Sequence, residues 1–314
     1  MPSVYTPVTK YEKYKSHRYY EPGNPYFTCN NILLSPFTTG LDRSRRDFKN
    51  AIIYGDSGGY QIATQGLKVS AMNILHWLEN MADIGFTVDV PPHTFGDDFT
   101  NVQFMRCMRK SNDNAELMRR FKVNDDMQLW GVVLGRTLEE CIICYEDLIK
   151  NHEYDGYCIS LSIHKLSTEI PWIEQLRFAK TVSKRFHFLG FSDQLFTLVL
   201  AQLAKKMNLC YTFDSSTPNI GGRYGKYIHP ETYKHLHITK DQTIENIPCS
   251  CPVCKNHTVN DLRRETQLIN LHNLFVKINF CELANSLTDE QFHSYLDNLV
   301  RNESEKSKII DLLE

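Results

Sequence analysis

Apolar positions along the chain fall into short runs: Ile32–Leu34, Ala51–Tyr54, Phe86–Val90, Leu129–Leu134, Gly156–Leu161, His187–Phe191 and Leu209–Phe213. Runs this short, rich in β-branched and aromatic residues, are the mark of strands covered on both faces. Between them the apolar spacing turns helical. Ile74, Leu75, Leu78, Met81 and Ala82 share one helix face, and Thr137-Leu-Glu-Glu140 has the form of a capping box. An alternating β/α chain implies parallel strands joined by right-handed crossovers. No Gly-x-Gly-x-x-Gly follows the first run, so a closed TIM (β/α)8 barrel is expected in preference to an open doubly wound sheet.

The strand rhythm stops near residue 240. A cysteine cluster follows, then helical patterns through Leu262–Ile278 and Glu290–Leu313. The predicted organisation is a barrel over 1–240 and a metal-stapled helical appendage over 241–314. No Pro/Gly-rich linker separates them, so the appendage is expected to pack on the barrel.

Length and charge bound the reading further. A chain of 314 residues can bury one barrel-sized core and an appendage. A net charge of −2 neither demands nor excludes a nucleic-acid partner, so phosphate contacts have to come from local patches. Lys10–Tyr20 interleaves cations with aromatics, and Arg43, Arg45, Arg46 and Lys49 precede a predicted strand. Either segment taken alone reads as ordinary solvated surface. The opening residues have no basic region followed by an apolar stretch, and no apolar run is long enough to span a bilayer. The expected setting is soluble and cytoplasmic, with no membrane partner.

Three of the ten cysteines crowd into Cys249-Ser-Cys251-Pro-Val-Cys254, which points to metal and to a reducing compartment. With His272 on a predicted helix they offer three thiolates and one imidazole, a tetrahedral set typical of structural zinc. His257 competes as the fourth ligand. Four protein ligands leave no open position for water, so the ion is expected to hold the appendage together. Cys141 and Cys144, three apart on a helix, read as core residues.

Three carboxylates mark strand ends: Asp56 after one run, Asp89 within Phe86–Val90, and Asp214 after Phe213. In a βα barrel those ends form the catalytic face. Any one of them alone is more often a cap or turn residue, but three together point to a site. Ser57-Gly58-Gly59-Tyr60-Gln61 has paired glycines that let a planar ligand approach the backbone. Asn219–Lys226 reads as a glycine-bearing loop in which Arg223 and Lys226 can meet phosphates, or else as a hairpin turn with a surface arginine. Two carboxylates flanking a glycosidic bond can divide the labour, one attacking the anomeric carbon and the other moving a proton.

Asp56-Ser-Gly-Gly-Tyr-Gln61, Leu129-Trp-Gly-Val-Val-Leu-Gly135, Tyr154-Asp-Gly-Tyr-Cys-Ile159, Phe213-Asp-Ser-Ser-Thr-Pro218 and the Cys/His cluster together resemble the tRNA-guanine transglycosylase superfamily. The resemblance covers about residues 30 to 280. It implies a zinc-bearing barrel that replaces guanine in a nucleic acid by a 7-deazaguanine, through double displacement at the sugar C1′. It makes Asp214 the nucleophile and Asp56 the acid/base. Asp89 becomes the group that grips the guanine edge, with Ser57, Gly58, Gly59, Gln61, Gly135, Ser160 and Leu161 in the base pocket. Leu134 stands where the family uses a glutamine, and Ile159-Ser-Leu-Ser162 replaces a Gly-Gly-Leu-Ser motif. The Asp214 segment also lacks the Cys-Val-x-Pro-Thr-Arg continuation of the bacterial tRNA enzymes. These departures resemble a divergent, largely phage-borne branch that modifies DNA, which implies DNA as partner, a base such as 7-cyano-7-deazaguanine (preQ0), and host cytoplasm. tRNA as polymer and a non-catalytic nucleic-acid-binding subunit are the alternatives, and a homodimer is among the assemblies implied.

Overall fold

A computed structural model of the chain describes residues 3–9, 12, 15–39, 44–48, 50–95, 99–160, 172–238 and 247–314. Its strands are β1 (Val4–Tyr5), β2 (Asn31–Leu34), β3 (Ile52–Gly55), β4 (Ile84–Phe86), β5 (Gln128–Val133), β6 (Gly156–Ser160), β7 (Phe186–Leu189), β8 (Thr212–Phe213), β9 (Lys226–Ile228) and β10 (His235–His237). Its α-helices are α1 (Pro36–Thr39), α2 (Gly59–Gln65), α3 (Ala71–Met81), α4 (Asn101–Phe121), α5 (Leu138–Ile149), α6 (Ile173–Val182) and α7 (Gln194–Met207). They continue with α8 (Thr217–Arg223), α9 (Val259–Arg264), α10 (Thr266–Ser286), α11 (Asp289–Leu299) and α12 (Glu303–Leu313).

The first eight strands form one parallel sheet in the order β1-β8-β7-β6-β5-β4-β3-β2. The ring closes just past β1. Val8 bridges Leu33, the Thr9 N–H donates to the Leu33 carbonyl at 2.7 Å, and the Leu33 N–H donates to that of Pro7 at 2.9 Å. The expected TIM barrel is therefore the fold. β1 was absent from the predicted strands, because two residues before a proline carry no readable period.

Two boundaries differ in ways that matter for the site. β4 lies at 84–86, so Asp89 stands beyond the strand and not within it. After Thr87 the backbone turns to side chains of α4: the Val88 N–H faces Met118 Sδ at 3.3 Å and the Val90 N–H donates to Ser111 Oγ at 2.8 Å. Residues 217–223, expected as a loop, are helix α8. Its two glycines serve packing rather than a turn: a Cβ on Gly222 would lie 1.8 Å from Asn270 Oδ1 of α10.

The capping box at Thr137 is half realised. Thr137 accepts the Glu140 N–H at 3.2 Å, while the Glu140 carboxylate takes the Arg136 N–H at 2.7 Å. The C-terminal helices pack on the barrel through α10, whose Asn285 side chain accepts the Ser3 N–H at 3.0 Å beside β1. The helical pattern 290–313 splits into α11 and α12, with Asn302 capping the second. Cys141 and Cys144 are fully buried, as expected of core residues.

Candidate active site

The C-terminal ends of the parallel strands carry the three carboxylates. Asp56 follows β3, and the chain then turns through Gly58, at φ +70°, into α2. A Cβ on Gly58 would strike the Phe37 ring at 2.3 Å, so this turn admits only glycine. Gly59 seats its backbone against Asp89. Burial pushes the Asp56 carboxyl up to about 6, and the charge of Asp214 adds to the shift; the Gly58 N–H and the Ser35 hydroxyl pull the other way. Burial and then the Asp56 charge push Asp89 up to about 7. The Cys158 thiol on β6 is held far above its ordinary range by burial and by all three carboxylates, Asp56, Asp89 and Asp214. One buried thiol feeling all three charges marks them as a single cluster.

Ser57 is buried, and Gln61 on α2 has a buried Oε1 with no hydrogen-bond partner among the described residues. Ser160 ends β6 in direct register with Leu189 at the end of β7. Gly135 lies just past β5, packed on Cys141, with its carbonyl accepting from Gln175 Nε2 at 3.0 Å. Leu161 and Ser162 fall outside the described residues.

Asp214 follows β8 and is buried. Its Oδ1 accepts the Gly190 N–H at 2.9 Å and lies 3.1 Å from His187 Nε2. His187 on β7 is in direct register with Thr212 on β8, whose hydroxyl lies 2.8 Å from His187 Nδ1. Thr212 and Asp214, two residues apart, face the same interior. Tyr54 stacks on His187 at 5.8 Å and Phe86 lies 4.8 Å from it, so the imidazole is sealed from water. His187 and Thr212 were not foreseen; the available signal was a lone polar residue between Phe186 and Phe188 in an apolar strand. Tyr5 on β1 donates its hydroxyl to the Ser215 carbonyl at 3.1 Å, tying the first strand to the segment after Asp214.

Arg223 and Lys226 are exposed at the end of α8 and the start of β9, with Tyr224 62% exposed between them. α8 begins three residues after Asp214, and its far end, which carries this cationic, aromatic face, packs on α10 through Gly221 and Gly222. The other basic segments lie elsewhere. Arg18 and Arg46 line a cavity of about 420 Å³ with Tyr20, Asp47 and Asn50, before β2 and β3 and so at the opposite end of the barrel. Arg45 is held by the Ala51 carbonyl at 2.7 Å and by Asp83 at 3.0 Å. Lys10, Arg43 and Lys49 lie outside the described residues.

Cys249, Cys251, Cys254 and His272 present donor atoms all within 4.8 Å of one another. His272 Nδ1 lies 3.4 Å from Cys251 Sγ and 3.3 Å from Cys254 Sγ, edges of the length a zinc tetrahedron requires. The other ring nitrogen, Nε2, lies 2.7 Å from the Ile228 carbonyl, to which only an N–H can donate, leaving the Nδ1 lone pair for the metal. Tyr227 stacks on the same ring at 3.8 Å. Hydrogen bonds from Cys251 and Cys254 drive the Cys249 thiol well down toward thiolate. The four residues fit one structural zinc ion. His257 is not among the residues whose donor atoms come together; its Nε2 lies 3.0 Å from the Tyr26 hydroxyl. Among the described residues no helix is long and apolar enough to cross a membrane.

A parallel eight-stranded barrel with clustered carboxylates at its strand ends and a Cys3His centre in its C-terminal helical region defines a (β/α)8 protein built around a structural zinc site. Residues 47–305 match the family described as queuine tRNA-ribosyltransferase (TGT), and the chain belongs to that family. It is similar to the tRNA-guanine(15) transglycosylase of Korarchaeum cryptofilum, 26% identical over 243 residues that cover 73% of this chain and 39% of that protein. The namesake enzyme of Methanococcus maripaludis is 24% identical over 251 residues, covering 73% and 36%. That of Methanosarcina mazei is 26% identical over 243 residues, covering 71% and 45%. The chain thus spans less than half the length of these relatives.

Proposed function

We propose that this chain is a transglycosylase that exchanges guanine in a nucleic acid for a 7-deazaguanine. The observation that carries the reading is the gathering of Asp56, Asp89 and Asp214 at neighbouring strand ends, near enough that all three act on the Cys158 thiol, with the Asp56 and Asp89 carboxyls raised while Asp214 is held by two donors on Oδ1. Such a set suits N-glycoside exchange. Asp214 attacks C1′ and the C1′–N9 bond breaks. Its electron pair leaves with guanine, and the proton of the coupled Asp56–Asp89 pair, when it resides on Asp56, passes to the departing base. The incoming base then loses its N9 proton to Asp56, attacks C1′ through N9, and releases Asp214. Asp89, as carboxylate, accepts hydrogen bonds from N1–H and the 2-amino group. By the family resemblance, the backbone of Gly58 and Gly59 and the side chain of Gln61 face the base together with Ser57, Gly135 and Ser160, and the same resemblance assigns Leu161 to base binding. Arg223 and Lys226 meet backbone phosphates, and Tyr224 offers a ring for a base.

For the polymer, we read DNA, with a base such as preQ0. The support is the departure of Leu134, of Ile159-Ser-Leu-Ser162 and of the segment after Asp214 from the tRNA enzymes' motifs. A duplex target would present its guanine extruded or in a melted strand. tRNA is the second reading, favoured by the activity for which the archaeal relatives are named. Retention of both Asp56 and Asp214 speaks against a non-catalytic subunit. The test is incubation with labelled 7-cyano-7-deazaguanine and either DNA or tRNA, beside Asp214→Ala. Incorporation into DNA is expected. Incorporation into tRNA alone overturns the DNA reading, and incorporation by neither overturns the exchange itself.

A further inference from the structure

Among the described residues, both donors that reach the Asp214 carboxylate arrive on the same oxygen. Oδ1 takes the Gly190 N–H at 2.9 Å and faces His187 Nε2 at 3.1 Å; among the described residues no donor reaches Oδ2. The imidazole has a fixed role in this arrangement. A carboxylate requires a donor, so Nε2 carries the hydrogen, while Nδ1 lies 2.8 Å from the Thr212 hydroxyl, which can donate to a neutral ring or accept from a protonated one. Thr212, His187 and Asp214 make one hydrogen-bonded chain across the β7/β8 register pair. It is walled by Tyr54 and Phe86, and His187 has no exposed surface. A donor locked in a dry, apolar setting pays no reorganisation when the carboxylate reacts.

Resting on the reading of Asp214 as nucleophile, we propose that His187 is its positioning residue. Together with Gly190, it pins Oδ1 and turns Oδ2 toward the sugar as the oxygen that attacks C1′, with Thr212 fixing the ring. In the step, the Oδ2–C1′ bond forms as the C1′–N9 bond breaks, the electron pair leaving with the base. The contribution of His187 is orientation, and the hydrogen bond on Oδ1 is kept throughout.

The test is single-turnover formation of the covalent protein–oligonucleotide adduct, with labelled guanine-containing DNA and RNA strands, full-length protein and no incoming base. His187→Phe keeps a ring and loses the donor; His187→Gln keeps an N–H near the Nε2 position. His187→Phe is expected to slow adduct formation on the order of 100-fold with strand affinity unchanged. His187→Gln restores most of the rate, and Thr212→Val costs roughly tenfold. Wild-type adduct rates in His187→Phe, or equal impairment of the Phe and Gln variants, overturn the proposal. If the Phe variant does not fold, a wild-type rate in Thr212→Val overturns it instead. Adduct formation by Asp214→Ala, or none by the wild type on either strand, refutes the nucleophile reading on which the proposal rests.

Discussion

Gly59 and Asp89 touch: a methyl placed on Gly59 would fall 2.1 Å from Asp89 Oδ1 and 2.5 Å from its carbonyl oxygen. The α2 turn and the Asp89 segment, which come from different strand ends, are therefore fitted to each other through the absence of a side chain. Gly59→Ala should displace the Asp89 carboxylate from the pocket and raise KM for the incoming base by about 100-fold, with a much smaller effect on thermal stability. Steady-state kinetics with varied base check this; an unchanged KM removes Asp89 from base recognition.

Asp89 also ties the site to pH. Its carboxyl is raised to about 7 and that of Asp56 to about 6, both first by burial. Between the ordinary carboxylate range and those values the folded chain binds more protons than the unfolded one. Both groups therefore destabilise the fold as pH rises through 6 to 7. Asp89→Asn is expected to raise stability at pH 8 by roughly 1–3 kcal/mol, with the gain vanishing near pH 4, while base binding is lost. Denaturant melts at the two pH values read this directly, and a pH-independent difference contradicts it. Guanine affinity in the unaltered protein should fall below about pH 7 as Asp89 takes up its proton.

Zinc binding and the barrel meet on α10. His272 is a ligand, and one and a half turns on, Lys277 Nζ donates to the Ser192 carbonyl in the segment that follows Gly190. Chelation, or Cys254→Ser, should lower stability by about 3–5 kcal/mol, roughly 10 °C in Tm. It should also slow the reaction of whatever protein stays folded, because the β7–α7 segment loses its support. Unchanged melting after verified metal removal contradicts a structural site.

The barrel was legible because seven of its strands are long or apolar enough to show. β1 was not, since Val4–Tyr5 gains its place only by pairing with β8 at Thr212 and Phe213. The zinc ligands were readable from their spacing, and His272 over His257 was settled by the Ile228 carbonyl, an acceptor placed by a hairpin that sequence did not reveal. α8 was misread because Gly221 and Gly222 look like a turn until α10 is packed on them. His187 was overlooked because its partners, Thr212 and Asp214, lie on the next strand, and cross-strand register is not written in either segment alone.

Arg223 and Lys226 flank exposed Tyr224 just past the helix that follows Asp214 in the chain. Replacing both cations by alanine should weaken strand binding and reduce the salt slope of log K by roughly 1–2, with base affinity unchanged. Filter binding across salt concentrations measures it; an unaltered slope moves the phosphate path elsewhere.

The account turns on Asp214 forming a bond to the sugar. Protein reacted with a guanine-containing strand without incoming base, then digested and sequenced by mass spectrometry, should carry the sugar adduct on the peptide that contains Asp214, with free guanine released in equal amount. An adduct on any other residue, or base exchange that survives Asp214→Ala, would contradict it.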